Sequence, residues 1–147
     1  MNKTIVDELN TFLKGNYMAI QAYERYIKNI QDKKVKQIFQ TIQKNHQNHA
    51  QLIKKRILEL NGQPVESVGV FGRMVNWMDH LKKETTELTH IIKDAQTGEY
   101  RGIKKSKQVL ENDLDEESLT LVKCILEQDE EHISMLTSML SSEKSSK

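Results

Sequence analysis

The chain has 147 residues, the usual length of one domain, and a formal net charge of +1 from 22 basic and 21 acidic residues. This balance provides no global field for nucleic acid or an anionic membrane, so neither is expected as a partner. One proline, six glycines and abundant Lys, Glu, Gln, Leu and Ile favour an all-α fold. No apolar run approaches the roughly 18 residues of a membrane span, the start lacks a signal-peptide apolar region, and the single Cys124 excludes an intrachain disulfide. A cytoplasmic protein is therefore expected.

Apolar residues at helical spacing predict a first helix over about residues 5–29 and a second over about residues 34–60. Asn61 and Gly62 are residue types that end a helix, and Pro64 prevents its continuation. Because the link between these helices is short, they are expected to form an antiparallel hairpin.

A long connection follows, and within it the spacing predicts a short amphipathic helix over residues 70–81. Thr85 and Thr86 are candidates for the N-cap of a third long helix that ends near Leu110. A single kinked helix over residues 70–111 is the alternative.

The fourth helix is expected to begin at Asp115 or Ser118. Residues 1–140 are then one left-handed four-helix bundle in which the long connection crosses over between two hairpins. Residues 141–147, rich in Ser and Lys, are predicted to be a flexible tail.

The two halves of the chain resemble each other at a constant offset of 83 residues. Polar residues recur at this offset on the apolar stripes, at one height near mid-bundle. The correspondence pairs Gly15-Asn16 with Gly98-Glu99, and His46 and His49 with Asp129 and His132. Burying several ionisable groups together costs several kcal/mol each unless they are paired or bind a cation.

A divalent metal ion would resolve this cost. Mixed nitrogen and oxygen donors suit iron, zinc or manganese, whereas calcium takes more oxygens and copper another geometry. The predicted metal ligands are His46, His49, Glu99, Asp129 and His132. The alternative is a degenerate site without a cofactor, in which these side chains hydrogen-bond to one another.

Two segments carry a resemblance to the ferritin-like superfamily. ILEQDEEHISML, in the fourth helix, resembles the fourth-helix motif of bacterioferritins, and FQTIQKNHQNHAQL is similar to the second-helix pattern of rubrerythrins. The order of GNYMAI, LNGQP and GEYRGI resembles an uncharacterised bacterial ferritin-like family. This resemblance covers nearly the whole chain and implies a ferritin-like bundle.

The resemblance also implies a ligand set, because ferritin-like di-iron centres take one Glu from each of two helices and Glu-x-x-His from each of the others. Carried over by position, the set is Asn16, His46, His49, Glu99, Asp129 and His132. Asn16 and His46 replace carboxylates, so one metal ion is expected rather than two, biased toward Glu99, Asp129 and His132. Gln96, Glu24 and Glu127 could substitute only if the helical phase is shifted by one position.

Two functional hypotheses follow. The first is a metal-binding protein in which iron reacts with oxygen or peroxide. The second is a metal-free helical scaffold that acts in stress or dormancy through protein contacts, with an exposed apolar face over residues 70–78. A homo-oligomer, a dimer, is expected in either case, and the sequence does not indicate which protein partner it would bind.

Overall fold

The structure, a computed structural model, describes residues 2–66 and 87–145. This part of the chain contains four helices and no strand, which confirms the all-α prediction. The helices are α1 (Asn2–Asn29), α2 (Lys33–Glu59), α3 (Leu88–Leu110) and α4 (Glu116–Ser145). The short helix and apolar face predicted between residues 70 and 81 lie outside the described residues. No helix of the described ranges is long and apolar enough to cross a membrane.

The four helices pack as two hairpins, α1 with α2 and α3 with α4. Contacts of α1 with α3, and of α2 with α4, join the hairpins and are sparser. The predicted pairing of neighbours through short links is thus confirmed, and the sparser α1–α3 junction is where a cavity is found.

Both ends of α2 follow from local chemistry. Asp32 is the N-cap, and its Oδ1 accepts a hydrogen bond from the backbone N–H of Val35 at 3.0 Å. At the other end the Gly62 N–H donates to the Ile57 carbonyl at 2.9 Å while Asn61 takes a positive φ of 63°. This is a Schellman motif, and it confirms the helix end that Asn61 and Gly62 predict.

Other helix ends differ slightly from the sequence-based bounds. The N-cap of α3 is Glu87, in an extended conformation and without a side-chain cap, whereas the sequence favours the preceding threonines. The helix α4 begins directly after Asp115, one of the two predicted starts, and the Leu119 N–H donates to the Asp115 carbonyl at 2.9 Å. It continues to Ser145, beyond the expected boundary at residue 140.

The apolar core is divided into two clusters. One is built around Tyr26, Phe39, Ile92 and Leu136, and the other around Leu9, Phe12, Ile53, Val122 and Ile125. Along each of the four helices, buried polar side chains lie between the residues of one cluster and those of the other. We call this set the polar layer; it comprises Asn16, His46, His49, Glu99, Asp129 and His132.

Candidate metal centre

Every predicted ligand lies in the polar layer. His46 and His49 come from α2, Glu99 from α3, and Asp129 and His132 from α4. Each is buried, with no more than 4% of its surface exposed. Residues three apart on a helix point to the same side, so the two pairs on α2 and α4 both face the bundle interior.

Glu99 is the most heavily hydrogen-bonded member of the layer. Its Oε2 accepts from the Tyr23 hydroxyl at 2.5 Å and lies 2.8 Å from His46 Nε2. Its Oε1 lies 3.2 Å from His132 Nδ1. Side chains from the other three helices therefore converge on this one carboxylate.

The hydrogen bonding of Asp129 differs from that of Glu99. Its Oδ1 is buried and has no hydrogen-bond partner within the described ranges, although three imidazoles face it. The Nδ1 atoms of His132, His46 and His49 lie 3.5, 3.9 and 4.0 Å from this oxygen. The Nδ1 atoms of His46 and His49 likewise have no partner there. Three potential ligand atoms thus meet without satisfying one another.

Two amide side chains contact the Nε2 atoms of imidazoles in the polar layer. Gln128 Oε1 contacts His49 Nε2, and the Asn45 amide lies 3.0 Å from His132 Nε2. Gln128 accepts the Nε2–H of His49, which leaves the His49 Nδ1 lone pair directed toward Asp129. Sequence reasoning missed both amides, although they are related by the offset of 83 and each directly precedes a predicted ligand.

Mutual interactions fix the charge states of the layer in the metal-free protein. Burial opposes ionisation of Glu99, but the charges and hydrogen bonds of His46 and His132 outweigh it and lower its pKa to about 2. Burial also opposes protonation of His132, but its interactions with the carboxylates of Asp129 and Glu99 raise its pKa to about 9. Burial lowers the pKa of His49, so this imidazole is the neutral form that binds metals.

The α1 side of the polar layer supplies none of the predicted metal ligands. Asn16 is buried at the expected height, but its Nδ2 donates to the Phe12 carbonyl of its own helix at 3.0 Å. Tyr23, which sequence reasoning did not select, is the α1 side chain that reaches the cluster. Burial, followed by the charge of Glu99, raises the Tyr23 pKa well above its ordinary value, so the hydroxyl is a stable donor.

The residues considered for a shifted helical phase lie outside the layer. Glu24 accepts from Gln43 at an exposed site, and Gln96 donates to Thr137. Glu127 is exposed. The phase derived from the apolar stripes is therefore the one that the helices adopt.

The metal-binding capacity of the cluster can be read from its distances. Single ligand atoms of His46, Glu99, Asp129 and His132 all lie within 4.8 Å of one another. His49 is not in that tightest group, yet it carries one of the unpartnered nitrogens. Imidazole nitrogens and carboxylate oxygens together form a donor set for iron, zinc or manganese.

Comparison with known proteins identifies the family and the fold. Residues 4–112 match the family described as Domain of unknown function (DUF2383), and the chain belongs to that family. The matched region ends before α4, which carries Asp129 and His132. No curated protein matches the chain.

Several solved structures share the fold. A protein from Bacteroides fragilis, described as a dodecameric thioferritin and bacterioferritin-related protein, has a TM-score of 0.79 at 22% identity, over 97% of this chain and 87% of that one. A ferritin-like di-iron-carboxylate protein from Bacillus anthracis has a TM-score of 0.75 at 20% identity, over 95% and 96%. A DPS protein from Vibrio cholerae O1, of the same superfamily, has a TM-score of 0.75 at 23% identity, over 95% and 90%. The ferritin-like four-helix bundle is thereby confirmed, and the buried cluster fits a metal-binding protein of that fold.

Proposed function

We propose that this member of the DUF2383 family binds one divalent transition-metal ion per chain in its polar layer, and that iron is the ion used. The observation that carries the proposal is the set of three unpartnered atoms: His46 Nδ1, His49 Nδ1 and Asp129 Oδ1. A buried polar atom without a partner costs about 1–3 kcal/mol. A cation would satisfy all three at once.

The two distances from Asp129 Oδ1 to these nitrogens are compatible with one shared ion. Metal–ligand bonds of about 2.1 Å at right angles place neighbouring donors about 3 Å apart. The two imidazole nitrogens lie 3.9 and 4.0 Å from Asp129 Oδ1, so shifts of about 1 Å complete the site. Two His and one carboxylate form the facial triad of mononuclear iron sites that react with oxygen, which favours iron.

His132 and Glu99 are proposed to complete the coordination or to support it. In the metal-free protein they hydrogen-bond to each other at 3.2 Å, so both must exchange that bond for the metal. The sequence predicts an ion nearer Glu99, Asp129 and His132. The unpartnered nitrogens instead favour His46 and His49, together with Asp129, as the residues that bind the ion directly. Gln128 and Asn45 orient the rings, as groups behind metal-bound imidazoles usually do.

A second ion lacks ligands. Asn16 stands where the di-iron pattern has a bridging or terminal carboxylate, and its amide is engaged with the Phe12 carbonyl. Two irons also require negative charge, which Glu99 and Asp129 alone supply within the polar layer. One ion per chain is the stoichiometry that this donor set supports.

Bound iron would supply oxidase or peroxidase chemistry, by exchanging electrons with oxygen or peroxide. The chain's own residues would set the conditions for it. Asp129 and Glu99 would offset the charge of the ion, and Tyr23 donates a hydrogen bond to Glu99 Oε2.

The test is metal content and affinity. Protein purified without chelator is analysed by mass spectrometry for iron, zinc and manganese, and chelator-treated protein is titrated with each ion. We expect about one ion per chain, and His49→Ala and His132→Ala should each weaken binding about 10-fold or more. His90→Ala is the matched control, because His90 is an exposed histidine that pairs with Glu87 at the start of α3.

A metal-free scaffold is the second candidate, because Glu99 accepts three hydrogen bonds from neighbouring side chains. Failure of all three ions to bind the wild-type protein would favour it and overturn the proposed function. A homodimer remains a prediction under both functions, and light scattering of the purified protein tests it.

A further inference from the structure

A cavity of about 180 Å³ lies between α1 and α3 and reaches the polar layer. Its outer part is lined by small residues, including Gly15, Ala19 and Gly98. Its inner part is lined by aromatic rings, including Tyr23 and Tyr26, and by members of the polar layer. The cavity thus connects the α1–α3 surface with the proposed metal site.

The glycines at the outer part are not explained by packing. Gly15 and Gly98 are related by the offset of 83, and both stand inside helices. A Cβ atom at either position would meet no atom of the described residues within 4 Å. Glycine inside a helix costs roughly 0.5–1 kcal/mol relative to alanine. No close contact among the described residues requires these glycines, and both line the mouth of the cavity.

The inner end of the cavity presents groups that lack partners. His46 and Asp129 both line it, and each carries a buried atom without a hydrogen-bond partner in the described structure. Asn16 also lines it and contributes a neutral amide where the ferritin-like pattern has a carboxylate.

The composition of the walls indicates what the cavity can hold. Most of its accessible wall is apolar, so a charged molecule would lose part of its hydration on entering. The charged residues in the lining away from the layer, Asp94, Arg101 and Lys105, carry both signs and select neither. An engineered apolar cavity of about 150 Å³ in another protein binds benzene, so this volume suits a molecule of that size.

We propose that the α1–α3 cavity binds a small neutral organic molecule, about the size of benzene, with its inner end beside the metal centre. This rests on the proposed function only for the position of the metal. The cavity itself belongs to the chain and can be tested in the metal-free protein.

The experiment titrates chelator-treated protein with phenol, followed by calorimetry and by NMR shifts of alanine methyl groups. We expect one saturable site with a dissociation constant of about 1 mM or tighter, as small ligands of this size allow. Benzoate, the charged counterpart, should bind at least about 10-fold more weakly. Absence of saturable phenol binding, or equal binding of benzoate, overturns the proposal.

Two variants locate the site. Gly98→Leu places a large side chain at the mouth and also raises helix propensity, so the fold is expected to persist. Ala22→Leu fills the inner part, where Ala22 is buried. Each should weaken phenol binding about 10-fold or more. Gln108→Leu, an exposed position on α3 outside the cavity lining, should leave it unchanged. Unchanged binding in both cavity variants refutes the location.

Metal content separates this proposal from the proposed function. Phenol binding without metal binding would support the cavity proposal and refute the proposed metal centre. Metal binding without phenol binding would support the metal centre and refute the cavity proposal. When both occur, iron loading should change the phenol dissociation constant, and an identical value with and without iron refutes the placement of the ligand beside the metal.

Discussion

Replacing Asn16 by glutamate tests why α1 contributes an amide to the polar layer. Asn16 is only 6% exposed and lines the α1–α3 cavity together with Glu99 and Asp129. Asn16→Glu would bring a third carboxylate into a layer in which His132, whose pKa is raised, already pairs with Glu99. In the metal-free protein the added charge has no counter-ion, so the variant should be destabilised.

The expected loss is several kcal/mol, the effective penalty for burying an unpaired ion. For a domain of this length each kcal/mol shifts the melting temperature by about 2–4 °C, so a loss of about 3 kcal/mol lowers it by about 6–12 °C. A cation that binds the new carboxylate reverses the effect. At 100 times its dissociation constant it restores about 2.7 kcal/mol.

Calorimetry of the variant with chelator and with manganese or anaerobic Fe(II) measures both effects, and mass spectrometry counts the ions. Asn16→Gln keeps a neutral amide and should show no metal-dependent recovery beyond that of the wild type. The double variant Asn16→Glu/His46→Glu approaches the ferritin-like ligand pattern, and we expect a second iron and oxygen-dependent Fe(II) oxidation. A normal melting temperature for Asn16→Glu in chelator, with no additional metal, would refute the placement of Asn16 in the polar layer beside the predicted ligands.

Two further predictions concern stability. In the metal-free protein, folding lowers the Glu99 pKa from 4.5 to about 2 and raises the His132 pKa from 6.5 to about 9. The contribution of Glu99 to the unfolding free energy is fully present above pH 4.5 and is lost as the pH falls toward 2. The contribution of His132 is fully present below pH 6.5 and is lost as the pH rises toward 9. Because folding lowers the His49 pKa, His49 also reduces the unfolding free energy below pH 6.5. Urea unfolding should therefore show a maximum near pH 6.5 and a fall on the order of 1–3 kcal/mol by pH 9, and His132→Gln should remove the alkaline fall. Separately, Gly62→Ala should lower the unfolding free energy by about 1–3 kcal/mol, because the new Cβ would lie 2.6 Å from a Val6 methyl carbon; Gly15→Ala, with open space at the Cβ, should be neutral or stabilising, and equal effects of the two would contradict the close approach.

Sequence periodicity was sufficient for the fold because each helix is long and its inward-facing residues recur at helical spacing along its whole length. The same stripes placed His46, His49, Glu99, Asp129 and His132 together, since interior position and height in an antiparallel hairpin follow from residue number alone. Their burial agrees with that expectation. The ligand role of each remains a prediction.

Contacts between helices could not be derived in this way. The reach of Tyr23 to Glu99 depends on how α1 is rotated against α3, and the contacts of Asn45 and Gln128 depend on the spacing of α2 and α4. Stripes define the inward face of a helix, but they do not define these rotations to the accuracy of a hydrogen bond. The cavity was missed for the same reason, since it arises from small side chains meeting across the α1–α3 junction.

The two halves of the chain differ in what they contribute to the polar layer. The offset of 83 relates Asn16 to Glu99 and Tyr23 to Ser106. Tyr23 crosses to Glu99, whereas the buried Ser106 hydroxyl has no partner among the described residues and is too short to make the equivalent contact. One half therefore supplies a carboxylate with a tyrosine donor, and the other half supplies an amide and a short hydroxyl in their place. This asymmetry is the structural reason why we propose one metal ion per chain rather than two.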